Sequence, residues 1–175
     1  MKRFFLLFIL SLLFSCNAVK VSYDYDKDTD FSNYNTYNYF SDIKTGLSEL
    51  DNKRLFRAMD ITLRTKGLLF SEEPDFLINI QGTSFQAPQN SSIGVGLGSS
   101  GSNVGGGLSI GIPVGRPNVE QEIQFDFVDI KKDMLFWQAN SKSSFKENMS
   151  PIEREQKLQE FVDKVFAKYP PKKRK

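Results

Sequence analysis

The chain has 175 residues, with 23 Lys and Arg against 21 Asp and Glu, so its formal charge is +2 at neutral pH. It contains no histidine and a single cysteine, Cys16, which excludes histidine-based catalytic triads and the commonest zinc ligand. One cysteine also excludes an internal disulfide, so packing alone must hold the core.

The amino terminus has the layout of a secretory signal peptide. Two basic residues at positions 2 and 3 precede an apolar run over residues 4–14, which is too short to span a bilayer comfortably as a helix. The motif LFSC at residues 13–16 resembles the lipobox of bacterial lipoprotein precursors, in which the cysteine thiol is lipidated and the chain is cut before it. We therefore expect cleavage between Ser15 and Cys16 and lipidation of Cys16, in preference to a plain signal peptide or an uncleaved anchor.

Removal of residues 1–15 takes away two positive charges and leaves one domain, residues 16–175, with 21 charges of each sign. A formal charge of zero argues against a nucleic-acid partner. Strand-like alternation begins at about residue 19, so the domain should lie roughly 10 Å from the membrane surface. We expect a location in the bacterial cell envelope, at the outer membrane, with acyl chains of the palmitate type on Cys16 as the attachment.

The first half of the domain predicts two strands, a helix and a third strand. Residues 19–26 (VKVSYDYD) alternate apolar and polar, and residues 30–40 (DFSNYNTYNYF) are rich in strand-forming residues. Over residues 51–66 the period becomes helical, and Gly67 follows where a helix would end. The apolar stripe of this helix is Leu55, Ala58, Met59, Thr62 and Leu63. Residues 74–85 then predict a strand with Phe76, Ile78 and Ile80 inward.

Residues 91–116 are rich in glycine and contain the pattern G-x-G-x-x-G at Gly96, Gly98 and Gly101. A dinucleotide-binding loop requires a helix that begins inside this pattern, and the residues after Gly101 do not favour one, so we expect no nucleotide. Apolar residues alternate with glycine on both sides of a Ser/Gly/Asn turn, which indicates a β-hairpin. Two interpretations stay open: a mobile insertion, favoured by the entropy cost of ordering glycine, and an apolar flap that contacts lipid or a partner.

The last third predicts two strands and a helix. Residues 122–130 and 134–145 are strand-like and are joined by a polar turn at residues 131–133. Ser150, Pro151 and Glu153 form a capping box that begins a helix. Its stripe is Leu158, Phe161, Val162, Val165 and Phe166, and two prolines, Pro170 and Pro171, follow. The order β-β-α-β-(hairpin)-β-β-α predicts an α+β fold, a single mostly antiparallel sheet with two helices packed on one face.

A run of acidic residues raises the question of a calcium site. The aspartates alternate with other residues: Asp24, Asp26, Asp28 and Asp30. An EF-hand loop that started at Asp24 would need glycine and glutamate where the chain has Thr29 and Asn35. A solvated strand end and turn is therefore the preferred interpretation, and we expect no metal or other cofactor.

Four segments together resemble a bacterial lipoprotein family, the domain of unknown function four-one-three-six. They are residues 19–40, residues 55–78 (LFRAMDITLRTKGLLFSEEPDFLI), residues 123–139 (IQFDFVDIKKDMLFWQA) and residues 165–171 (VFAKYPP). Residues 136–140 depart from the family pattern, because FWQAN lacks the basic residue and glycine expected after the tryptophan. The resemblance implies an envelope lipoprotein with an α+β domain and no established reaction, and it transfers one functional residue, Cys16.

Two functions from different classes follow. The preferred one is a non-catalytic, lipid-anchored binding or assembly module, which contacts an envelope protein through the hairpin or an exposed sheet edge. The alternative is a periplasmic or surface hydrolase, or a carbohydrate-processing enzyme, that uses acidic residues such as Glu122, Asp126 and Asp129. Convergence of these carboxylates in a pocket would favour the enzyme, and outward alternation would favour the binding module.

Overall fold

The computed structural model describes residues 19–86, 92–95, 110–113, 118–146 and 148–172. The strands are β1 (Lys20–Tyr25), β2 (Thr36–Tyr39), β3 (Leu69–Phe70), β4 (Phe76–Gln86), β5 (Ser92–Val95), β6 (Ile110–Pro113), β7 (Asn118–Asp129) and β8 (Met134–Lys146). The α-helices are α1 (Glu49–Thr65) and α2 (Pro151–Val165). The predicted α+β class is confirmed.

The framework is a six-stranded sheet in the order β1-β8-β7-β4-β2-β3. Neighbours among β1, β8, β7 and β4 are antiparallel, whereas β2 runs parallel to both β3 and β4. The sheet is therefore mixed, and the prediction of a mostly antiparallel sheet is wrong. The reason is α1, which carries the chain back along the sheet after β2, so that the next strands start from the same end as β2.

The two helices lie side by side over one face of the sheet and run in the same direction. Near their first turns, Arg154 donates from Nη1 to Oδ2 of Asp51 at 2.9 Å. Near their last turns, Thr62 donates to Oδ1 of Asp163 at 2.7 Å. Their apolar stripes contact the inward side chains of the strands, as where the ring of Phe161 lies 6.1 Å from that of Phe125.

The core is formed where the predicted stripes meet the sheet. Both helical stripes are buried: Leu55, Ala58, Met59, Thr62 and Leu63 of α1, and Leu158, Phe161, Val162 and Val165 of α2 with Phe166 at its end. The inward residues Phe76, Ile78 and Ile80 of β4 are buried as predicted. Full burial of one such side chain stabilises the fold by about 1.5–3 kcal/mol, so these stripes are a large part of what holds the fold together.

The predicted second strand, residues 30–40, is divided in two. Phe31–Asn33 is a 3-10 turn, and only Thr36–Tyr39 joins the sheet. The side chain of Asp30 accepts hydrogen bonds from the amide of Ser32 at 3.3 Å and its hydroxyl at 2.8 Å. This local capping competes with the ladder and bends the chain before β2.

The sheet has two distinct ends. At the hairpin end, β4 finishes at Gln86, β7 begins at Asn118, β8 finishes at Lys146 and β1 begins at Lys20. At the turn end, residues 131–133 join β7 to β8, with Asp133 at a positive φ of 50°. Both helices begin near the hairpin end, because α1 follows a loop bonded to the last part of β4 and α2 follows the end of β8.

That loop approaches β4 closely at Gly82. The amide of Gly82 donates to the carbonyl oxygen of Lys44 at 2.7 Å, and the amide of Lys44 donates to the carbonyl oxygen of Ile80 at 3.2 Å. A Cβ atom at Gly82 would lie 2.1 Å from the carbonyl oxygen of Thr45. Only glycine therefore allows this contact without a shift of backbone.

The glycine-rich segment contributes the two short strands of a separate sheet. β5 and β6 pair in antiparallel register, with Ile93 opposite Ile112 and Val95 opposite Ile110. This is the pairing that the hairpin interpretation predicts. The glycines of the G-x-G-x-x-G pattern, at positions 96, 98 and 101, lie outside the described residues.

In the part of the chain that the structure describes, neither helix has the length and apolar character needed to cross a membrane.

Candidate functional site

The helices cover one face of the sheet, and the opposite face is open. We call this opposite face the polar face. It is formed by Asn79, Gln81 and Thr83 of β4, by Glu122, Gln124 and Asp126 of β7, by Gln138, Asn140 and Lys142 of β8, and by Lys20 and Ser22 of β1. Most of these residues, with Phe40, Asp42 and Lys44 on the rim, line a shallow trough of 1210 Å³. A surface of this size and composition can bind a polar partner.

A hydrogen-bond network fixes the side chains around Asp126 on the polar face. Gln124 donates from Nε2 to both carboxylate oxygens of Asp126 at 3.0 Å, and Gln138 donates to Oδ1 at 2.8 Å. Asn140 in turn donates to Oε1 of Gln138 at 3.1 Å. These residues lie on neighbouring strands, so pairing of β7 with β8 creates the network. The amides are thereby held in fixed orientations before any partner arrives.

An ion pair lies next to this network, towards the hairpin end. Lys142 on β8 is directly opposite Glu122 on β7, and its Nζ contacts Oε1 of that residue. The hydrogen bond and charge of Glu122 raise the pKa of Lys142 above its ordinary value. Both side chains are half exposed, and an exposed pair of this kind adds little stability. Its charges therefore remain available to a partner.

The candidate acids of the enzyme interpretation do not converge. Glu122 and Asp126 lie on the polar face, four residues apart along β7. Asp129, by contrast, is on the buried side of the strand. Asp129 accepts hydrogen bonds from the hydroxyl of Tyr34 at 2.7 Å and from the amides of Lys131 at 2.8 Å and Lys132 at 2.9 Å. Asp129 thus stabilises the turn at the end of β7.

The environment of Asp129 lowers the pKa of its carboxyl. Burial alone would raise this pKa, but hydrogen bonds from Tyr34 and from the amides of Lys132 and Lys131, together with the Lys132 charge, bring it below its ordinary value. The pKa of Tyr34 is raised by burial and by its bond to Asp129. At neutral pH this pair is a neutral phenol that donates to a carboxylate.

A second buried polar cluster was not expected from the sequence. The hydroxyls of Tyr37 and Tyr39 both donate to Oδ1 of Asp60 on α1, each at 2.7 Å. Burial, and after it the Asp60 carboxylate, raises the pKa of both tyrosines above their ordinary range. The cluster fastens α1 to β2. Its one sequence signal is the Y-x-Y spacing in β2, which does not identify the helical partner.

The aspartate run forms local turns. Asp26 accepts from the amide of Asp28 at 3.1 Å and from the hydroxyl of Thr29 at 2.8 Å, and these bonds hold the pKa of its carboxyl below the usual value. Asp30 caps the 3-10 turn as described above. Across the described ranges, no group of three or more acidic, histidine or cysteine side chains is placed to hold a metal ion. Asp26 and Asp30 thus act in turn formation, and Asp24 lies near the end of β1.

The predicted cleavage and lipidation residues, Ser15 and Cys16, lie outside the described residues. β1 starts at Lys20, four residues beyond Cys16. The polar face, by contrast, was missed from the sequence. Its signal was the polar half of the alternation in residues 122–126 and 138–142, which also fits an ordinary solvated strand.

Comparison with known proteins identifies a family and a fold. The family model described as "Domain of unknown function (DUF4136)" matches residues 21–171. No curated protein matches the chain.

Among solved structures, a PDZ domain protein from Parabacteroides distasonis ATCC 8503 is 16% identical with a TM-score of 0.55. The match covers 90% of this chain but only 37% of that one. The PelC dodecamer from Paraburkholderia phytofirmans is 8% identical, with a TM-score of 0.51 over 86% of this chain and 96% of that one. A second dodecamer structure, of a PelC variant from the same organism, is 9% identical, with a TM-score of 0.50 over 86% and 95%. At these identities the likeness concerns the fold alone.

Proposed function

The chain belongs to the family of the domain of unknown function DUF4136, and on that premise we propose that it is a lipid-anchored lipoprotein of the bacterial cell envelope, at the outer membrane. It acts as a non-catalytic binding module that holds an envelope protein close to the membrane. The signal peptide, residues 1–15, is removed, and Cys16 carries the lipid. The domain, residues 16–175, remains outside the cytoplasm.

The observation that carries this proposal is the position of the one cysteine. Cys16 ends the apolar run of the leader and stands four residues before β1 begins at Lys20. Acyl chains contribute about 0.8 kcal/mol per buried methylene, so two or three long chains make the attachment effectively permanent. The short tether then confines the domain to the membrane surface, and any partner has to be found there.

The described side chains support binding rather than a reaction. Asp126 and Glu122 are engaged with neighbours on the polar face, and Asp129 is committed to a turn. What the polar face offers is a preorganised set of amides and charges, which suits recognition of a polar protein surface. Next to it, β1 is the edge strand of the sheet formed by the described residues, and its outer edge can accept a strand from a partner.

Intact-protein mass spectrometry of the membrane fraction tests the anchor, with wild type beside Cys16→Ala. We expect the wild type to lack residues 1–15 and to carry acyl mass that the variant lacks. A wild type that is cleaved but not acylated would contradict the lipoprotein proposal. Retention of residues 1–15 in an unacylated chain would contradict both cleavage and lipidation.

Site-specific photo-crosslinking in intact cells tests the binding face. We expect a photoreactive residue at Asn140, on the polar face, to give a discrete adduct, and the same residue at Gln156, exposed on α2, to give none. The adduct mass separates an envelope protein from a second copy of this chain, an outcome to consider because one structure of similar fold is a dodecamer. Equal adducts at both positions would remove the polar face as the binding surface.

A further inference from the structure

We propose that the hairpin end of the domain rests on the lipid bilayer, with Leu50 and Ile152 among the headgroups. The inference rests on the proposed function, because the lipid on Cys16 supplies the attachment. It adds an orientation, in which the strands run away from the membrane surface with the hairpin end nearest to it. The polar face is then roughly perpendicular to the membrane and can contact a partner on the same membrane.

The tether selects which end of the domain faces the membrane. Lys20 is opposite Lys142 on β8, four residues before the last β8 residue, Lys146, at the hairpin end. The four residue steps from Cys16 to Lys20 reach at most ~14 Å. The tether is thus long enough for the anchored cysteine to reach the level of the hairpin end.

The first turns of both helices carry exposed apolar side chains at this same end. Leu50 is 60% exposed and Ile152 is 70% exposed, the two highest values among the large apolar residues that the structure describes. Each is the second residue of its helix, and the bond between Asp51 and Arg154 holds the two first turns together. Exposed aliphatic side chains on two first turns that are joined in this way fit the boundary between headgroups and acyl chains.

The glycine-rich segment leaves the sheet from this end as well. β4 and β7 remain paired as far as Gln86 and Val119, and the chain between them contains β5 and β6. In the register of that hairpin, isoleucine is opposite isoleucine and valine is opposite isoleucine, and glycine alternates with them. The strand ends that this segment joins, Gln86 and Asn118, are therefore at the end of the sheet that the tether reaches.

Charge does not drive this contact. Glu49 and Lys53 pair with each other at 2.9 Å on the first turns of α1, and Glu122 pairs with Lys142. Within each of these pairs the two charges offset each other, although both helix N-termini add partial positive charge at the hairpin end. We expect apolar insertion to dominate, so the contact should be similar with zwitterionic and anionic lipid.

The turn end is the natural competitor, because it too exposes aliphatic residues. Ile130 is 44% exposed and Leu135 is 48% exposed. Leu135 is seven residues along β8 from Lys142, roughly 23 Å at the rise of a strand. That distance exceeds the reach of the tether, so a domain standing with its turn end on the bilayer would hold Lys20 too far from the membrane for Cys16 to remain anchored.

Fluorescence of single-cysteine variants in vesicles tests the proposal. The lipidated Ile152→Cys and Leu135→Cys proteins are labelled with an environment-sensitive dye, since the lipidated thiol of Cys16 does not react. They are reconstituted in phosphatidylethanolamine and phosphatidylglycerol vesicles that contain a nitroxide lipid. We expect the emission of the dye at position 152 to be blue-shifted relative to that at position 135. We also expect the nitroxide lipid to quench it about threefold more strongly, in keeping with shallow burial at the interface. The pair Leu50→Cys and Ile130→Cys should give the same order.

The outcomes separate the inference from its premise. The acyl mass of each sample is measured first, and its absence would overturn the lipid anchor and the inference with it. Equal quenching at positions 152 and 135 in acylated protein, or stronger quenching at 135, would overturn the inference and leave the anchor intact. All four substituted side chains are exposed, so we expect each variant to unfold at the same urea concentration as the wild type. That measurement shows that each variant is folded.

Discussion

Gly82 of β4 is hydrogen-bonded to the loop before α1. We expect Gly82→Ala to lower the free energy of unfolding by about 1–3 kcal/mol, because a methyl group has no space beside the carbonyl of Thr45 and the backbone must shift. Urea denaturation measures the change. Thr83→Ala, at an exposed neighbouring position, is the matched control and should stay within about 0.5 kcal/mol of wild type. Equal effects of the two substitutions would mean that the close approach is not a constraint.

The hydrogen bond from Tyr34 to Asp129 makes the free energy of unfolding depend on pH in the acid range. The carboxyl has a pKa below 3.8 in the folded protein, so its contribution is present above that value and is lost as pH falls through the lower folded pKa. Tyr34→Phe removes a donor, and we expect a loss of about 1–3 kcal/mol at pH 7. The variant should also lose less stability than wild type on acidification below pH 3.8.

Urea unfolding of the two proteins at neutral and acid pH measures both effects of Tyr34→Phe. Tyr25→Phe is the control, because Tyr25 is on the edge strand β1 and the residue is 37% exposed. Parallel pH profiles for wild type and Tyr34→Phe would contradict the role assigned to the hydroxyl.

Helix α2 depends on its capping box for a defined start. Ser150 Oγ accepts from the amide of Glu153 at 3.3 Å, and Glu153 Oε2 accepts from the amide of Ser150 at 2.7 Å. Ser150→Ala should lower the free energy of unfolding by about 1 kcal/mol. Gln156→Ala, exposed in the middle of the same helix, should change it much less. A Ser150→Ala protein as stable as Gln156→Ala would show that packing alone fixes the helix start.

Elements defined by local periodicity were predictable from the sequence. The stripes of α1 and α2, the inward residues of β4 and the capping box follow from spacing within a few turns, and all are confirmed. The direction of β2 was not predictable, because alternation within a strand does not reveal its neighbours. Its parallel pairing with β4 depends on a crossover of some forty residues.

The candidate site shows the same division between local and non-local information. A register shift after Phe127 lets the adjacent residues Phe136 and Trp137 both be buried, which no period-2 pattern predicts. Likewise, Asp126 acquires Gln138 as a donor only through pairing of β7 with β8. The polar residues were visible in the sequence, and the network that they form was not.

In the molecule as a whole, the core, the polar network and the exposed apolar side chains lie on different faces and ends of the sheet. Helices cover one face and form the core, while the other face presents the polar network. The end that receives the chain from Cys16 also carries the exposed first turns of the helices. β5 and β6 form a two-stranded sheet of their own, separate from the six-stranded sheet that the helices cover. The hairpin segment should therefore be dispensable for folding.

Replacement of residues 87–118 by Asn-Gly tests this separation. β4 and β7 are antiparallel and paired up to Gln86 and Val119, so a two-residue turn can join them directly. We expect the free energy of unfolding to stay the same or to rise by up to about 2 kcal/mol, because a much shorter loop costs less entropy to close. Urea denaturation measures this, and a loss of stability would show that the segment packs on the core. With the core intact, any weakening of vesicle contact in the lipidated, shortened protein belongs to the hairpin itself.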